Sequence, residues 1–203
     1  MIEEKLLNEK EIEDTIKRIA NEILDRHRDK KIAIVGIHAR GVIFADRVYK
    51  ILKKSCKNIL RGTLDITLYR DDLDNLGTIP HVKGSELDFD VNGIVIILFD
   101  DVLFTGRTIR AALDEIIDYG RPAKIELAVL IDRGNRELPI KPDYTGKYIK
   151  TERNEYIKVR FKESDKEDAI YLIRELEYRS KITKEARSIR TGYRVQATGS
   201  SRL

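Results

Sequence analysis

The sequence predicts an α/β protein built around a mainly parallel sheet, because short apolar runs alternate along it with amphipathic helical segments. The clearest run is Ile94–Phe99, which is bounded by polar residues and is strand-sized. A helix is predicted to begin near Gly106, with apolar side chains at helical spacing, and to stop at Gly120. The 203 residues, of which 41% are hydrophobic, suffice for one core and one domain.

The other elements are predicted from the same signals, in chain order. Asn8 and Glu11 have the spacing of a helix-capping box, and the apolar stripe that begins at Ile12 predicts a first helix. The polar connection from Arg70 to Leu87 is long, which is typical of a functional lid or of a disordered segment. The remaining predicted elements are strands at Lys31–Ile37, Thr63–Tyr69, Lys124–Ile131 and Tyr156–Phe161, and helices at Val42–Lys54 and Asp165–Glu177.

Composition limits where the protein works and which chemistry it can use. Cys56 is the single cysteine, so an intrachain disulfide and a cysteine-based zinc site are excluded, and a reducing compartment is indicated. The charged start lacks the apolar core of a signal peptide, and no apolar run is long enough for a membrane span. We therefore expect a cytoplasmic protein that does not enter a membrane.

The net charge of +4 comes from the end of the chain. Residues 179–203 contain seven basic residues and one acidic residue, so residues 1–178 are slightly acidic. A basic body would have favoured a phosphate-binding or nucleic-acid-binding face, and this composition does not. We expect one domain over residues 1–178 and a flexible basic tail over residues 179–203.

One segment, Ile96–Thr108, combines the groups that bind a sugar phosphate. Its strand ends at Asp100 and Asp101, whose carboxylates can accept hydrogen bonds from hydroxyl groups. A short loop then leads into a helix, whose first amides and positive dipole end favour a phosphate. Gly106 permits close backbone approach, and Thr105 adds a hydroxyl donor. Paired aspartates before a helix are by themselves often only a cap, so the whole segment carries the prediction of a ribose 5-phosphate site.

This segment resembles the signature of the type I phosphoribosyltransferases, which bind phosphoribosyl pyrophosphate (PRPP). Together with three further motifs it resembles the PyrR family, bifunctional uracil phosphoribosyltransferases that also regulate bacterial pyrimidine operons by binding messenger RNA. The resemblance implies a type I phosphoribosyltransferase-like fold, a twisted and mainly parallel sheet flanked by helices, with a small hood and a flexible lid loop. The four motifs are Asp65–Leu73, Asp100–Thr108, Gly120–Pro122 and Leu130–Ile140.

The resemblance also implies the reaction, in which ribose 5-phosphate passes from PRPP to N1 of uracil and gives UMP and pyrophosphate with Mg²⁺. Asp100 and Asp101 would be catalytic, holding the ribose hydroxyls and stabilising the sugar cation. They could also contact the Mg²⁺, which would otherwise sit on substrate oxygens. The residues implied to bind the phosphate and ribose are Asp100, Asp101, Val102, Leu103, Phe104, Thr105, Gly106, Arg107 and Thr108.

Two groups are implied to bind pyrophosphate. In the family the loop after the strand Lys31–Ile37 has that role, and here Arg40 supplies its charge. Arg70, implied to be catalytic, would close over the pyrophosphate with the lid and exclude water. Without the resemblance, the loop would be an ordinary turn with a surface arginine. The loop residues are His38, Ala39, Arg40 and Gly41.

Uracil is expected near Asp132, Arg133 and Val159, by analogy with the family. The base presents alternating hydrogen-bond donors and acceptors, which main-chain groups and a fixed arginine can match. The alternative for Asp132 and Arg133 is a local salt bridge at the end of a strand.

RNA binding in the family uses a basic concave face at a dimer interface. Asn21 and Asn135 stand where the family often has histidine, and Ala39 replaces a threonine common in the pyrophosphate loop. The implied partners are uracil, PRPP, UMP or UTP and the pyrimidine operon leader mRNA, and the resemblance suggests a homodimer or a homotetramer. The candidate RNA-binding residues are Lys17, Arg18, Arg136, Lys141 and Lys147.

Three interpretations stay open. The first is a uracil phosphoribosyltransferase that also attenuates transcription, and the second is an RNA-binding regulator with weak catalysis. The third is a phosphoribosyltransferase for another base, such as hypoxanthine, without an RNA role. UMP formation from uracil and PRPP separates the first from the others, and a salt-dependent gel shift separates the regulators from the third.

Overall fold

The structure is a computed structural model that describes residues 2–69, 84–152 and 154–174. Arg70, most of the predicted lid connection and the basic tail lie outside the described residues. The strands are β1 (Ile2–Leu7), β2 (Ile32–Ile37), β3 (Ile59–Leu64), β4 (Val95–Leu103), β5 (Lys124–Asp132), β6 (Tyr144–Tyr148), β7 (Glu155–Arg160) and β8 (Ala169–Arg174). The helices are α1 (Glu9–His27), α2 (Arg40–Leu52), α3 (Arg107–Tyr119) and α4 (Lys162–Asp165), with a short 3-10 helix at Ile66–Tyr69.

Five parallel strands form the central sheet in the order β3-β2-β4-β5-β6. β2 and β4 are near-continuous apolar runs, as expected for strands that are covered on both faces. The chain runs from β2 outward to β3 and returns to β4 on the other side of β2, so the switch point of the sheet lies between β2 and β4. The predicted α/β architecture is confirmed, and its ligand site is expected at the carboxyl ends of these two strands.

Helices cover both faces of the central sheet, and the alternation of side chains along β4 determines which helix lies where. Ile97 and Phe99 pack with residues of α1 and α2, whereas Ile96 and Leu98 pack with residues of α3. The rings of Phe99 and Phe44 meet edge to face, with centroids 5.0 Å apart. Because both faces of β4 are buried, its carboxyl end is held in a fixed position.

The sequence signals for helix ends are confirmed in α1 and α3. The Asn8 side chain accepts a hydrogen bond from the N–H of Glu11 at 3.1 Å, and the Glu11 carboxylate accepts one from the N–H of Asn8 at 2.8 Å. Gly106 and Gly120 flank α3, as predicted. Among the described residues, no helix is long and apolar enough to cross a membrane.

A second, antiparallel sheet in the order β1-β8-β7 forms the predicted hood. Arg47 of α2 fixes this sheet to the central domain. Its guanidinium pairs with Glu163 at 2.5 Å and with Asp168 at 2.7 Å. It also lies 4.7 Å from the centroid of the Phe161 ring. These contacts hold the segment around α4 firmly against α2.

Two predicted elements are wrong. The stretch Thr63–Tyr69 is not one strand, because the Asp65 carboxylate accepts the N–H of Thr67 at 3.1 Å and turns the chain into the 3-10 helix. The predicted helix Asp165–Glu177 is, as far as Arg174, the end of α4 followed by strand β8. The side chains of β8 are buried where this strand pairs with β1 and β7, and that tertiary context overrides local helix propensity. Neither β1 nor β6 was predicted.

Candidate active site

The acidic pair lies within β4 and not beyond it, which corrects the predicted strand end at Phe99. β4 stays paired with β5 as far as Leu103, so Asp100 and Asp101 are held as strand residues. The first turn of α2 packs directly on this part of β4. A Cβ on Gly41 would lie 2.5 Å from the carbonyl oxygen of Phe99 and 3.2 Å from the Cα of Asp100, so the approach requires glycine. The segment after β2 therefore meets the carboxyl-terminal part of β4 at the switch point.

Burial and mutual repulsion determine the electrostatics of the pair. Asp100 is 7% exposed, and burial, followed by the charge of Asp101, raises its pKa well above the usual range. Burial also raises the pKa of Asp101, against the opposing effects of its hydrogen bond with Asp100 and of the positive charge of Arg40. A bound cation or hydroxyl donors would relieve this repulsion. The pair is therefore suited to a sugar diol or to a metal ion.

The loop after β4 leads to a helix start that can receive an anion. Gly106 precedes α3 with φ 95° and has no side chain that could cap the helix. The N–H of Arg107 lies 3.3 Å from the Thr105 hydroxyl, and the N–H of Arg110 bonds to the Gly106 carbonyl at 2.9 Å. The other amides of the first turn have no helical partners and point along the helix axis toward the loop. A phosphate is favoured there by these amides and by the helix dipole.

Some residues of the predicted phosphate-and-ribose segment are buried in the core, and others are exposed to solvent in part or in full. Leu103 is 1% exposed, and Val102 packs against the core beneath α1 and α2. Phe104, Thr105 and Thr108 are half-buried. The Nε of Arg107 donates to a Glu137 carboxylate oxygen at 2.8 Å, and both side chains are exposed. The side chain of Leu103 therefore packs in the core and supports the loop that follows it.

The segment after β2 brings the predicted pyrophosphate residues beside the acidic pair. His38 is half-buried, Ala39 is exposed, and the peptide bond between them is cis. Arg40 and the glycine after it lie in the first turn of α2, which begins two residues earlier than predicted. The Nη2 of Arg40 donates to Oδ1 of Asp165 at 2.9 Å, while its charge opposes the rise in the pKa of Asp101. Arg40 therefore lies between the hood and the acidic pair.

Arg133 has a fixed position next to the loop after β4. Its guanidinium carbon lies 3.8 Å from the centroid of the Phe104 ring. Its Nε donates to the Thr151 hydroxyl at 2.8 Å, and its Nη2 donates to the Glu155 carbonyl at 2.6 Å. Arg133 is only 6% exposed, and burial lowers its pKa. Because the Thr151 hydroxyl and the Glu155 carbonyl are neutral acceptors, these hydrogen bonds leave the positive charge of Arg133 available to a further partner.

The other two predicted base residues have different surroundings. Asp132 does not form the alternative salt bridge with Arg133, because it pairs with Arg136 at 2.6 Å. The Val159 side chain is 1% exposed and belongs to the core. Since β7 is an edge strand of the hood sheet, Val159 could meet a base only through its main chain.

Three of the five RNA candidates are exposed lysines. The Lys17 ammonium lies 2.6 Å from a Glu13 carboxylate on the same helix, and both side chains are exposed. Lys141 and Lys147 are exposed, and they form no ion pair with another residue of the described part of the chain. Such lysines can exchange partners at little cost.

The two arginine candidates bind the protein itself. Arg18 donates from Nη2 to the carbonyls of Thr145 at 2.9 Å and Gly146 at 2.7 Å, which ties α1 to β6. Arg136 donates from Nη1 to the Phe104 carbonyl at 2.8 Å, in addition to its ion pair with Asp132. Both guanidinium groups hold neighbouring segments in place.

Sequence analysis missed Asp165 and Thr151, the partners of Arg40 and Arg133. Asp165 is 125 residues from Arg40 along the chain, and Thr151 is 18 residues from Arg133. Asp165 is the last residue of the short helix α4 and Thr151 lies in the connection between β6 and β7, and no periodicity in the sequence marks either residue. The one available signal for Asp165 was the run of acidic residues after β7, and such runs are usually solvated.

The fold and the two segments that meet at the switch point define a phosphoribosyltransferase. The family model of the phosphoribosyl transferase domain matches residues 3–165. A hypoxanthine-guanine phosphoribosyltransferase from Bacillus anthracis superposes with a TM-score of 0.62, over 85% of this chain and 99% of that chain, at 17% identity. A hypoxanthine phosphoribosyltransferase from Trypanosoma cruzi gives a TM-score of 0.63 over 84% and 94%, at 18% identity. The fold is the type I phosphoribosyltransferase fold.

Bifunctional PyrR proteins are similar to this chain over nearly their whole length. The protein from Elusimicrobium minutum is 50% identical over 173 residues, which are 84% of this chain and 97% of that protein. The protein from Thermus aquaticus is 48% identical over 170 residues, 83% of this chain and 94% of that protein. The chain belongs to the PyrR family. The family resemblance and the fold class predicted from the sequence are confirmed.

Proposed function

We propose that this protein transfers ribose 5-phosphate from PRPP to uracil, producing UMP and pyrophosphate, and that it also regulates pyrimidine operon expression by binding leader mRNA. The observation that carries the enzymatic half is the position of Asp100 and Asp101 at the switch point, between the starts of α2 and α3. In this proposal the two carboxylates bind the ribose diol, and the free amides at the start of α3 bind the 5-phosphate. The nearby charge of Arg40 binds the pyrophosphate.

The reaction depends on positioning and charge stabilisation. As the bond between the anomeric carbon and the pyrophosphate oxygen breaks, positive charge develops on the sugar and negative charge on the pyrophosphate. Asp100 and Asp101 orient the ribose through its hydroxyl groups and stabilise the sugar cation. Arg40 stabilises the departing pyrophosphate. N1 of uracil bonds to the anomeric carbon in place of the pyrophosphate oxygen, and the proton of N1 is released to solvent.

Asp100 and Asp101 are also the residues that would hold Mg²⁺. When bound, Mg²⁺ supplies positive charge beside the ribose and pyrophosphate oxygens. The fit is supported by two adjacent, largely buried carboxylates whose pKa values are both raised, since a cation would relieve the repulsion between them. Mg²⁺ prefers oxygen ligands and keeps several waters, so two carboxylates are enough from the protein.

The base is proposed to bind next to the ribose, between Arg133 and the edge strand β7. Arg133 is held by Thr151 and stacked on Phe104, a residue of the loop that receives the ribose phosphate. A fixed guanidinium can donate to a uracil carbonyl, and a main-chain group near Val159 can match the neighbouring ring N–H. This arrangement selects a small planar ring by its donor and acceptor pattern.

The regulatory half is supported by exposed lysines on neighbouring elements. Lys17 lies on α1 and Lys147 on β6, and Arg18 ties these two elements together. Lys141 lies on the connection that precedes β6. Contacts from such side chains to phosphates would make RNA binding salt-dependent. We also propose that the protein forms a homodimer or a homotetramer and that UMP or UTP changes its RNA binding.

A base-competition assay tests the enzymatic half. Purified protein with PRPP and Mg²⁺ is offered uracil or hypoxanthine, and we expect UMP from uracil as the main product. The double variant Asp100→Asn/Asp101→Asn should lose this activity while keeping its circular dichroism spectrum. Asp25→Asn, whose side chain is 77% exposed in α1, is the control and should behave as wild type. Normal UMP synthesis by the double variant would refute the assignment.

A gel shift with the leader RNA tests the regulatory half. We expect binding that weakens steeply as salt rises and that changes when UMP or UTP is added. Preference for hypoxanthine together with no shift at low salt would favour a phosphoribosyltransferase without an RNA role.

A further inference from the structure

We propose that Asp165 is a positioning residue for pyrophosphate binding. By holding one edge of the Arg40 guanidinium from the hood, it orients the remaining donors of Arg40 toward the pyrophosphate beside the acidic pair. The inference rests on the proposed PRPP chemistry and adds the hood as the element that prepares Arg40 for it.

The contact joins two elements that are distant in sequence. Arg40 opens α2, Asp165 closes α4, and Nη2 of the first lies 2.9 Å from Oδ1 of the second. The side chains are 36% and 20% exposed, so the pair is partly shielded from water. A charged hydrogen bond in such a place is stronger and better oriented than one on the open surface.

Asp165 is itself held rigidly. Its Oδ2 accepts a hydrogen bond from the Ser164 hydroxyl at 2.6 Å and another from the Phe161 N–H at 3.1 Å. Burial raises its pKa, but these two hydrogen bonds and the charge of Arg40 outweigh burial and lower the pKa. The carboxylate that meets Arg40 is therefore ionised and has little freedom to rotate.

The hood segment that carries Asp165 is fixed to α2 by a separate set of contacts. Arg47 donates from Nε and Nη2 to both oxygens of Glu163, at 2.9 and 2.5 Å, and from Nη1 and Nη2 to Asp168, at 3.0 and 2.7 Å. Since Arg47 and Arg40 lie on the same helix, α4 is held at a constant distance from Arg40. These contacts give Asp165 the rigid base that a positioning residue needs.

Asp165 does not occupy all the donors of Arg40. The Arg40 side chain is 36% exposed, its buried Nε has no hydrogen-bond partner among the described residues, and its charge acts on Asp101. Without Asp165 this long side chain would keep its rotamer freedom until pyrophosphate ordered it. The cost of ordering one such side chain on binding corresponds to roughly 2- to 12-fold in affinity.

Replacement of Asp165 tests the proposal through the KM for PRPP. In Asp165→Ala we expect the KM for PRPP to rise about 3- to 10-fold, with a smaller change in kcat and none in the KM for uracil. The dissociation constant of magnesium pyrophosphate, measured by calorimetry, should rise by the same factor. Asp165→Asn keeps one acceptor for Arg40 and should show a smaller loss. In an Arg40→Ala background, Asp165→Ala should have no further effect.

Glu167→Gln is the matched control, because it removes a carboxylate of the same connection between β7 and β8 that pairs with Arg160 instead of Arg40 or Arg47. We expect it to keep the wild-type KM for PRPP. An unchanged or tighter pyrophosphate affinity in Asp165→Ala overturns the proposal, as does an equal loss in Glu167→Gln or a loss that persists without Arg40. If Asp165→Ala does not fold, Asp165→Asn decides between the same outcomes. If the wild type makes no UMP, the proposed function fails, while the pyrophosphate titration still tests this inference.

Discussion

His27 and Glu126 meet inside the protein, where Nε2 of the histidine lies 2.8 Å from Oε2 of the carboxylate and the two side chains are 3% and 1% exposed. The Tyr144 hydroxyl donates to the same carboxylate at 2.6 Å, and the Lys124 ammonium donates to its other oxygen at 2.6 Å. The cluster ties the end of α1 to β5 and β6. Glu126 lies near the amino end of β5, whereas the acidic pair lies near the carboxyl end of β4. The cluster therefore stabilises the fold without taking part in the reaction.

Glu126→Gln should destabilise the protein by roughly 3 kcal/mol, because removal of one charge from a buried ionic cluster leaves its partners poorly paired. The measurement is the free energy of unfolding from urea titration. Glu22→Gln is the control, since it removes a carboxylate from an exposed pair with Arg18 on α1 and should have a small effect. A loss for Glu126→Gln as small as that of the control would contradict this assignment.

The same cluster predicts how stability depends on pH. Burial raises the pKa of Glu126, but hydrogen bonds from Lys124, Tyr144 and His27 outweigh it and lower the pKa to about 2 from an ordinary value of 4.5. Because the folded state then binds fewer protons than the unfolded state, the contribution of Glu126 is complete above pH 4.5 and is lost as the pH falls toward 2. The difference in unfolding free energy between wild type and Glu126→Gln should therefore shrink across this range. A difference that stays constant between pH 6 and pH 3 would exclude the cluster as its source.

Ionisation of the acidic pair should lower the stability of the fold, whereas ionisation of Glu126 raises it. Since burial raises the pKa of Asp100, its ionised form destabilises the fold at neutral pH. We expect Asp100→Asn to raise the urea midpoint at pH 7 and to slow UMP synthesis by about 100-fold or more, as in other cases where a residue that stabilises transition-state charge is removed. A lower midpoint together with the loss of activity would indicate damage to the fold instead of loss of a catalytic group.

Substitutions should show that the exposed lysines contribute to RNA affinity alone, whereas an arginine that donates to main-chain carbonyl groups also affects the active site. Lys141→Ala and Lys147→Ala should each weaken RNA binding and reduce the slope of log affinity against log salt by about 1, without changing UMP synthesis. Arg136→Ala should also impair UMP synthesis, because Arg136 supports the Phe104 carbonyl in the loop of the active site. The readouts are gel shifts at several salt concentrations and the UMP assay. Equal RNA affinity in wild type and both lysine variants would move the RNA site elsewhere.

Sequence predicted the structure best where local signals act. The capping box at Asn8, the glycines that flank α3 and the buried run of β4 all depend on neighbours within a few residues. The hood depended on pairing between β1 and β8, from opposite ends of the described chain, and local propensity could not show it. The 3-10 helix after β3 depends on one hydrogen bond that the Asp65 carboxylate accepts from the N–H of Thr67.

The candidate site divides in the same way. The acidic pair, the Gly106 helix start and Arg40 were predicted because their motifs are continuous in sequence. Asp165 could not be predicted, because its role depends on how the hood is placed on α2. For Arg18 and Arg136, the sequence shows a positive charge but not the carbonyl groups that already accept hydrogen bonds from it, and their part in RNA binding stays a prediction.

In the proposed function, the carboxyl end of β4 binds a ribose and the start of α3 binds its phosphate. A crystal structure of the protein with UMP bound tests it most directly. We predict the phosphate at the amides after Gly106, the ribose hydroxyls at Asp100 and Asp101, and the base beside Arg133. UMP density at another place, with these groups left without ligand, would contradict the account.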